Sequence, residues 1–523
     1  MPCVQRLTAS WGPCRHVGKG RAVNTGGMRG AVPLALTEAN LASLAGRVAA
    51  PTYDRGRLTR SIVHIGVGGF HRAHQAVYLD DLAERRISIE WGECGVGLLP
   101  WDRRMAGALI PQECLYTVVE REATRDQARV VGSITAYLFA PDDPGRVLDV
   151  LAEPATRIVS LTITEGGYNV DQATGRFDAD APAIREELAE GTVPRSVFGY
   201  LCAALGRRRA AGIAPFTILS CDNLQGNGAV ARTAVVSFAR LVDDALAAWI
   251  EANVTFPNSM VDRITPQTTD DDRAMVADTF GIADAWPVVT EPFKQWVLED
   301  TFCNGRPPLE EVGVQIVPDV HPYETMKLRL LNASHQAMGY LGYLAGYRYI
   351  HEVMADADFR RFIAHMMDDE VTALLPPVPG IDLAEYKRTL LERFANPKIG
   401  DTVARICTDG SDRMPKFLLP SLSEALAQDR PHRLLTLAVA GWCRYLRGVD
   451  EQGQEIAIAD PRATELRARA NEGQGNPQPL LALRSVFGDL GQHDTFVAEL
   501  ATALRELDAR GAKATLAAFL ASA

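Results

Sequence analysis

Ser61-Ile-Val-His-Ile-Gly66-Val-Gly-Gly-Phe-His71 is the stretch that decides the fold of this chain. Its short apolar run predicts a buried strand, and a helical pattern follows at about 73–84. A glycine-rich turn between a strand and a helix lets the backbone approach a pyrophosphate, which the helix N-terminus then holds. The third glycine of the usual fingerprint is missing, and His71 stands there. The turn predicts a dinucleotide site, with a structural glycine turn as the alternative. Its candidate cofactor-binding residues are Gly66, Gly68, Gly69, Phe70 and His71.

Strands and helices alternate along the first part of the chain. Further strand patterns lie at 92–98, 128–139, 157–163, 216–220 and 312–317, with helical patterns such as 196–209 between several of them. This alternation predicts an α/β fold with a Rossmann-like, doubly wound parallel sheet. A short amphipathic helix is expected at 34–44.

From about His321 onward the pattern is helical. Segments of helical period lie at 323–345, 358–374, 383–395, 416–427, 433–446 and 494–508. We therefore expect a dinucleotide-binding domain at 33–318 and an all-helical C-terminal domain at 319–523, which carries the substrate and catalytic groups. Residues 1–32 are basic and glycine-rich without any acidic residue. We expect a disordered extension there, with a misassigned start upstream of Met28 or a basic arm as the alternatives.

Composition limits the partners of the protein. The 523 residues carry a net charge of -11, which argues against nucleic acid or an anionic membrane as a partner. No apolar run is long enough for a transmembrane helix. The nine cysteines form neither a Cys-x-x-Cys motif nor a zinc spacing with histidine. We expect a cytoplasmic protein with reduced thiols and metal-independent chemistry.

An acidic residue follows the second predicted strand. Asp102 stands where a carboxylate normally binds the adenosine ribose and disfavours a 2′-phosphate. Arg103 and Arg104 could instead attract that phosphate. The pattern favours NAD over NADP, with ordinary loop charges as the alternative.

Three polar residues interrupt the apolar run Lys327-Leu-Arg-Leu-Leu-Asn332-Ala-Ser-His335. At about 100° per residue, Asn332 falls about 140° and His335 about 80° from Lys327, so all three project from one side of a helix. Pro322 is typical of a helix start. Lys327 then lies in the first turns, where the helix dipole disfavours an ammonium. A lysine that loses its proton easily is a candidate general base. A surface lysine beside two satisfied polar groups is the alternative.

A polar cluster at 220–228 follows the apolar run that ends at Ser220. Open α/β sheets bind ligands at the carboxyl ends of their strands. The Asn223 side chain can donate an N–H to a developing alkoxide. An Asx turn that closes a loop is the alternative.

Taken together, these motifs resemble the polyol-specific long-chain dehydrogenase/reductase family. The resemblance runs from about Ile62 to beyond Arg444 and includes the family's lysine–asparagine–histidine spacing. The matching stretches are 66–75, 162–168, 221–223 with 227–228, 260–266, 327–335, 407–410 and 415–417. One departure is Trp101, which stands where members often carry the first of two acidic residues.

The resemblance implies a role for each site residue. Lys327 would take the hydroxyl proton as hydride leaves the same carbon, and Asn223 and Asn332 would stabilise the charged oxygen. The residues that would orient the substrate or relay the proton are His335, Asp262, Arg405 and Glu324.

The same resemblance implies NAD-dependent oxidation of the C2 hydroxyl of D-mannitol to give D-fructose, and the reverse. The expected partners are a small polyol or ketose, and the expected state is a monomer or weak homo-oligomer. A first alternative is a fructuronate or tagaturonate reductase, in which Arg405 or Arg413 would bind the substrate carboxylate. A second alternative is a non-catalytic NAD-binding sensor, which would have no use for a base.

Overall fold

The computed structural model describes residues 32–171, 174–189 and 193–521. The extension expected at 1–32 lies, apart from Val32, outside the described residues, so it stays a prediction.

Five parallel strands form the central sheet. They are β1 (Arg60–Ile65), β2 (Gly92–Gly97), β3 (Ile134–Phe139), β4 (Ile158–Leu161) and β5 (Thr217–Ser220). Their order across the sheet is β3-β2-β1-β4-β5, with β1 paired to both β2 and β4. This is the strand order of the dinucleotide-binding fold, which opens a ligand crevice at the carboxyl ends of β1 and β4. The predicted Rossmann-like sheet is confirmed.

Smaller sheets surround this core. The other strands are Leu34–Ala35, Tyr116–Arg121, Asp126–Val131, Val170–Asp171, Arg176–Phe177, Ser259–Asp262, Ile282–Ala283, Val288–Thr290, Gln295–Glu299 and Gln315–Val317. The run predicted at 128–139 is two strands, and only the end of 312–317 is extended. The helix predicted at 34–44 is wrong over its first part, because Leu34 and Ala35 pair with Ile282 and Ala283.

Helices cover the sheet before residue 319. The α-helices are Leu41–Leu44, Gly69–Ala73, Gln75–Glu84, Arg103–Leu109, Pro144–Ala152, Pro182–Glu187, Val197–Ala210, Asn227–Val242, Asp244–Asn253 and Asp270–Phe280. The 3-10 turns are Glu38–Asn40, Arg55–Arg57, Pro100–Asp102, Ile110–Gln112, Glu165–Tyr168 and Leu309–Val312.

Helices also build the rest of the described chain. The α-helices are His321–Met326, Ala333–Leu344, Ile350–Ala355, Ala357–His365, Leu383–Phe394, Val403–Ile406, Gly410–Phe417, Leu419–Ala427, Arg433–Tyr445, Ala463–Gly473, Gln478–Leu481, Arg484–Phe487 and Asp494–Ala521. The 3-10 turns are Thr372–Leu374, Pro397–Ile399 and Leu490–Gln492, and two π-helical turns are Lys327–Asn332 and Met366–Val371. None of these described helices is both long and apolar enough to cross a bilayer.

The path of the chain places Lys327 where two parts of the chain meet. They are the α/β part, which ends at residue 318, and the helical part, which begins at residue 319. The helix that begins at His321 follows strand Gln315–Val317 after three residues. That strand belongs to the sheet that also contains Ser259–Asp262. The first helix of the helical part therefore packs beside strands of the α/β part, as its position after the last predicted strand indicates.

Candidate active site

Lys327 opens a π-helical turn. Residues 327–332 bond from i to i+5, and α-helix lies on either side of them. The α-helical spacing used for the sequence places Asn332 about 140° from Lys327. The wider π turn brings residues five apart onto one face, so it improves the predicted grouping of Lys327 with Asn332.

The Lys327 amine lies between the two parts of the protein. Nζ donates to Oδ1 of Asn223 at 2.5 Å and to the carbonyl oxygen of Val261 at 2.8 Å. An ammonium has three N–H donors. The described residues therefore leave one position on this nitrogen for a substrate hydroxyl.

Burial is the main influence on this amine. Lys327 is only 7% exposed, and loss of water lowers its pKa below that of an ordinary lysine. Asp262, Glu324 and Glu165 oppose the shift, while the positive charge of Arg393 adds to it. From the sequence, we expected the helix dipole to lower the pKa of Lys327. Burial is the larger cause, since Lys327 lies beyond the first turn of the helix.

Asn223 is held by the loops around it. It follows β5 beside Asp222, whose carboxylate accepts from the backbone N–H groups of Ile163 and Thr164 and from the Tyr168 hydroxyl. These bonds tie the loop after β5 to the loop after β4. Because Oδ1 of Asn223 accepts from Lys327, its amide N–H₂ is left to donate elsewhere.

Asn332 and His335 bring unpartnered polar atoms to the same region. Oδ1 of Asn332 and Nε2 of His335 are buried and have no hydrogen-bond partner among the described residues. Burial lowers the pKa of His335 to about 4, so its ring is neutral at pH 7. The ring packs against Phe394, with centroids 4.6 Å apart. A buried polar atom without a hydrogen-bond partner is costly, which indicates that a bound ligand supplies the missing partners.

Glu324 lies one turn before Lys327. Burial raises the pKa of its carboxyl group to about 7, although the N–H of Gly226 donates to it at 3.1 Å. A small cavity contacts both Glu324 and Lys327, together with Asn223, Ser259 and Leu328. A group with this pKa can accept and release a proton near neutral pH.

Asp262 meets an arginine that the sequence did not single out. Arg393 donates to both carboxylate oxygens of Asp262 at 2.8 and 3.0 Å, and to Glu291 at 2.8 and 2.9 Å. Burial alone would raise the pKa of Asp262, but Arg393 holds it below the ordinary value. Glu291 directly follows the apolar strand Val288–Thr290, a position that could have drawn notice. Arg393 has no comparable local signal.

Arg405 lies at the edge of the site. Its side chain is half exposed and forms two bonds of 2.6 Å with Asp401. Its charge, like that of Asp401, acts on His335. The guanidinium of Arg405 is therefore bound to a carboxylate, and its link to the proposed site residues is electrostatic, through His335.

The glycine turn after β1 fits a dinucleotide. Gly66 has φ +95°, and a Cβ at this position would stand 2.1 Å from the carbonyl oxygen of Thr162. Only glycine lets β1 and β4 approach this closely. Gly68 precedes the short helix that starts at Gly69, and Phe70 stacks on His74.

His71 does not offer its side chain to this crevice. The side chain is fully buried, stacks on His64 with centroids 3.4 Å apart, and bonds Glu93 at 3.0 Å. The expected contact of His71 with a cofactor stays a prediction, and the buried ring leaves only the backbone of His71 for it.

Asp102 ends the 3-10 turn Pro100–Asp102, which follows β2. One of its oxygens accepts from the N–H of Leu99 at 2.9 Å, and a Cβ on Gly97 would stand 2.6 Å from the Cβ of Asp102. Arg103 pairs with Asp142 at 2.6 Å, and Arg104 lies 6.0 Å from the Trp286 ring. Arg103, which follows Asp102 in the chain, therefore has a carboxylate of its own, which suits an unphosphorylated ribose.

Comparison with known proteins covers both parts of the chain. Residues 60–311 match the mannitol dehydrogenase Rossmann domain, and residues 319–508 match the mannitol dehydrogenase C-terminal domain. A mannitol 2-dehydrogenase of Phaeosphaeria nodorum is 51% identical over 490 residues, which cover 93% of this chain and 86% of that protein.

Two solved structures share the fold over nearly the whole chain. One is the Pseudomonas fluorescens mannitol 2-dehydrogenase in a ternary complex with NAD and D-mannitol. It has a TM-score of 0.85 and 47% identity, and the match covers 94% of this chain and all of that one. The other is a D-sorbitol dehydrogenase in substrate-free form, with a TM-score of 0.85 and 36% identity, over 92% of this chain and all of that one.

Proposed function

This chain belongs to the mannitol dehydrogenase family, and from that premise we propose that it oxidises D-mannitol to D-fructose with NAD and catalyses the reverse reduction. The observation that carries the proposal is the buried Lys327 amine, held by Asn223 and Val261 with one position open. A binding protein has no need of such a base, so this arrangement disfavours a non-catalytic sensor.

Lys327 acts as the general base. Its neutral amine takes the proton of the C2 hydroxyl, and the bond between that carbon and its hydrogen breaks. NAD, when bound along the turn at Gly66, supplies the acceptor for the hydride. The lowered pKa of Lys327 increases the fraction of neutral amine at a given pH, which favours oxidation.

Asn223 and Asn332 stabilise the charge on the reacting oxygen. The Asn223 oxygen is bound to Lys327, and its amide N–H₂ forms no hydrogen bond among the described residues. A donor aimed at a developing oxyanion typically lowers the barrier by about 2.7–4 kcal/mol. Asn332 would make a similar contact through its amide N–H₂, while its unpartnered Oδ1 can accept from a substrate hydroxyl.

The other groups orient the sugar chain and move the proton. His335 offers a neutral, unpartnered ring nitrogen near the base. Asp262 and Arg405 bind further hydroxyls, and Glu324 passes the proton from Lys327 through the small cavity towards water.

A uronate is a less suitable substrate. Arg405 is engaged by Asp401, and Arg413 donates at 3.4 and 3.5 Å to the carbonyl oxygens of Arg405 and Ile406. Neither cation is reserved for a carboxylate, so a neutral polyol fits the site better.

We also propose that the protein works in the cytoplasm on a small molecule, as a monomer or weak homo-oligomer. The net charge of -11 disfavours anionic partners. The seven described cysteines are free, and six of them are buried, which suits a reducing compartment.

A substrate panel tests the function. We expect NAD-dependent turnover of D-mannitol and NADH-dependent reduction of D-fructose, with lower kcat/KM for arabinitol, sorbitol and fructuronate. Faster turnover of fructuronate than of fructose would overturn the proposal, as would absence of turnover of every polyol.

A further inference from the structure

One helix end contacts two of the proposed substrate-binding groups. Arg393 and Phe394 are the last two residues of helix Leu383–Phe394. Arg393 forms two hydrogen bonds with the Asp262 carboxylate, and Phe394 packs on the His335 ring. Asp262 belongs to the α/β part, so its contact with Arg393 crosses the boundary between the two parts.

The ion pair between Arg393 and Asp262 requires the geometry of a guanidinium group. The guanidinium group uses Nε and both terminal nitrogens in four bonds to two carboxylates, and it lies 4.0 Å over the Phe293 ring. The side chains of Arg393, Asp262 and Glu291 are each at most 5% exposed. Only the planar fork of arginine meets two carboxylates in this way, since a lysine offers a single point charge.

Asp262 can still accept hydrogen bonds from a substrate while it is bound to Arg393. Each of its oxygens accepts one bond from Arg393, whereas an ionised carboxylate has about four acceptor positions. The preceding residue, Val261, gives its carbonyl oxygen to Lys327. The position of Asp262 is therefore linked to that of the base through one peptide unit.

We propose that Arg393 is a positioning residue that acts through Asp262. It fixes the carboxylate in the orientation that binds a polyol hydroxyl, with Glu291 as the second anchor of the guanidinium. The inference rests on the proposed function, and it adds a residue from the helical part that sets substrate recognition in the α/β part.

A double-mutant cycle tests this inference. Arg393→Lys keeps the charge but loses the fork, and we expect KM for D-mannitol to rise about tenfold, with KM for NAD within twofold of wild type. Asp262→Asn should raise KM for D-mannitol as well. If Arg393 acts through Asp262, the double variant should be no worse than Asp262→Asn alone. Independent effects that multiply would overturn the proposal.

A further variant keeps the test decisive if Arg393→Lys folds poorly. Glu291→Gln removes the charge of the second anchor, and we expect it to raise KM for D-mannitol about threefold without touching Asp262. An unchanged KM would contradict the proposal.

Arg121→Met is the matched control. Arg121 also binds a carboxylate, that of Asp272, and donates to the carbonyl oxygen of Lys398 across the same boundary. It should lower Tm but leave KM for D-mannitol unchanged. An equal rise of KM in this control would assign the effect of Arg393 to stability alone. The wild-type protein is assayed in parallel. If it does not turn over D-mannitol, the proposed function fails; if it does and the variants behave otherwise than expected, only the role of Arg393 fails.

Discussion

Nζ of Lys327 lies 2.5 Å from Oδ1 of Asn223, a residue 104 positions earlier in the chain. The bond joins the first helix of the helical part to the loop after β5. It brings the proposed base and a proposed oxyanion donor together, so the reaction needs both parts of the chain in place.

Replacement of Lys327 by alanine removes the base. We expect kcat for D-mannitol oxidation to fall by about 10²–10⁴, because this is the usual contribution of a positioned base. NADH formation gives the rate, and fluorescence titration should show NAD binding retained. Lys387→Ala, which removes a lysine paired with Asp368, is the control. Full activity in Lys327→Ala would contradict the mechanism.

Replacement of Asn223 by alanine removes a donor to the reacting oxygen. We expect kcat to fall by about 10²–10³, equivalent to about 2.7–4 kcal/mol of barrier. Asn253→Ala serves as the control, because Asn253 is exposed at the end of helix Asp244–Asn253. Equal activities of the two variants would remove Asn223 from the mechanism.

The pH profile of oxidation should depend on Glu324. Oxidation needs neutral Lys327, so the rate rises with pH through the pKa of the lysine. That pKa is lowered by burial, and the Glu324 charge raises it in part. Glu324→Gln removes this charge, and we therefore expect the rising limb of kcat/KM to move to lower pH. A limb at the wild-type position would show that the two groups are not coupled.

Asp102 should set the choice of coenzyme. We expect Asp102→Ala to reduce the kcat/KM preference for NAD over NADP about tenfold, or about 1.4 kcal/mol, because a carboxylate here binds the ribose and repels a 2′-phosphate. The control is Asp149→Ala, which alters an exposed acid paired with Arg207. Steady-state rates with both coenzymes give the ratio. An unchanged preference would place coenzyme selection elsewhere.

Activity should survive chelation. Among the described residues there is no group of three or more histidine, cysteine, aspartate or glutamate side chains suited to a metal ion. We expect dialysis against EDTA to leave kcat unchanged, because Lys327 and the asparagines supply the charge stabilisation. Loss of activity that zinc restores would contradict this expectation.

The sequence predicted the parts of the fold that local patterns encode. The apolar run before Gly66 and the turn itself indicated β1 and the coenzyme crevice, and the family resemblance is confirmed by the comparisons. The strand Ser259–Asp262 was missed, because it is short and depends on pairing with the distant strand Gln295–Glu299.

Contacts between distant segments account for what the sequence did not predict in the site. Asp262 was identified, but its partner Arg393 is 131 residues away and lies in an ordinary amphipathic helix. Burial of the His71 ring also depends on tertiary packing, through His64 and Glu93. The sequence correctly placed Lys327 on one side of a helix with Asn332 and His335. It did not predict the π turn, because no residue type is specific to such a turn.

The π turn also determines which changes of length this segment can tolerate. Removal of one residue between 328 and 331 would convert the turn to ordinary α-helix, in which residues four apart lie about 40° from each other. Asn332 and His335 would then stand four and seven positions after Lys327, and both would remain on its side of the helix. Removal of one residue between Asn332 and His335 would instead rotate His335 by about 100° away from the base.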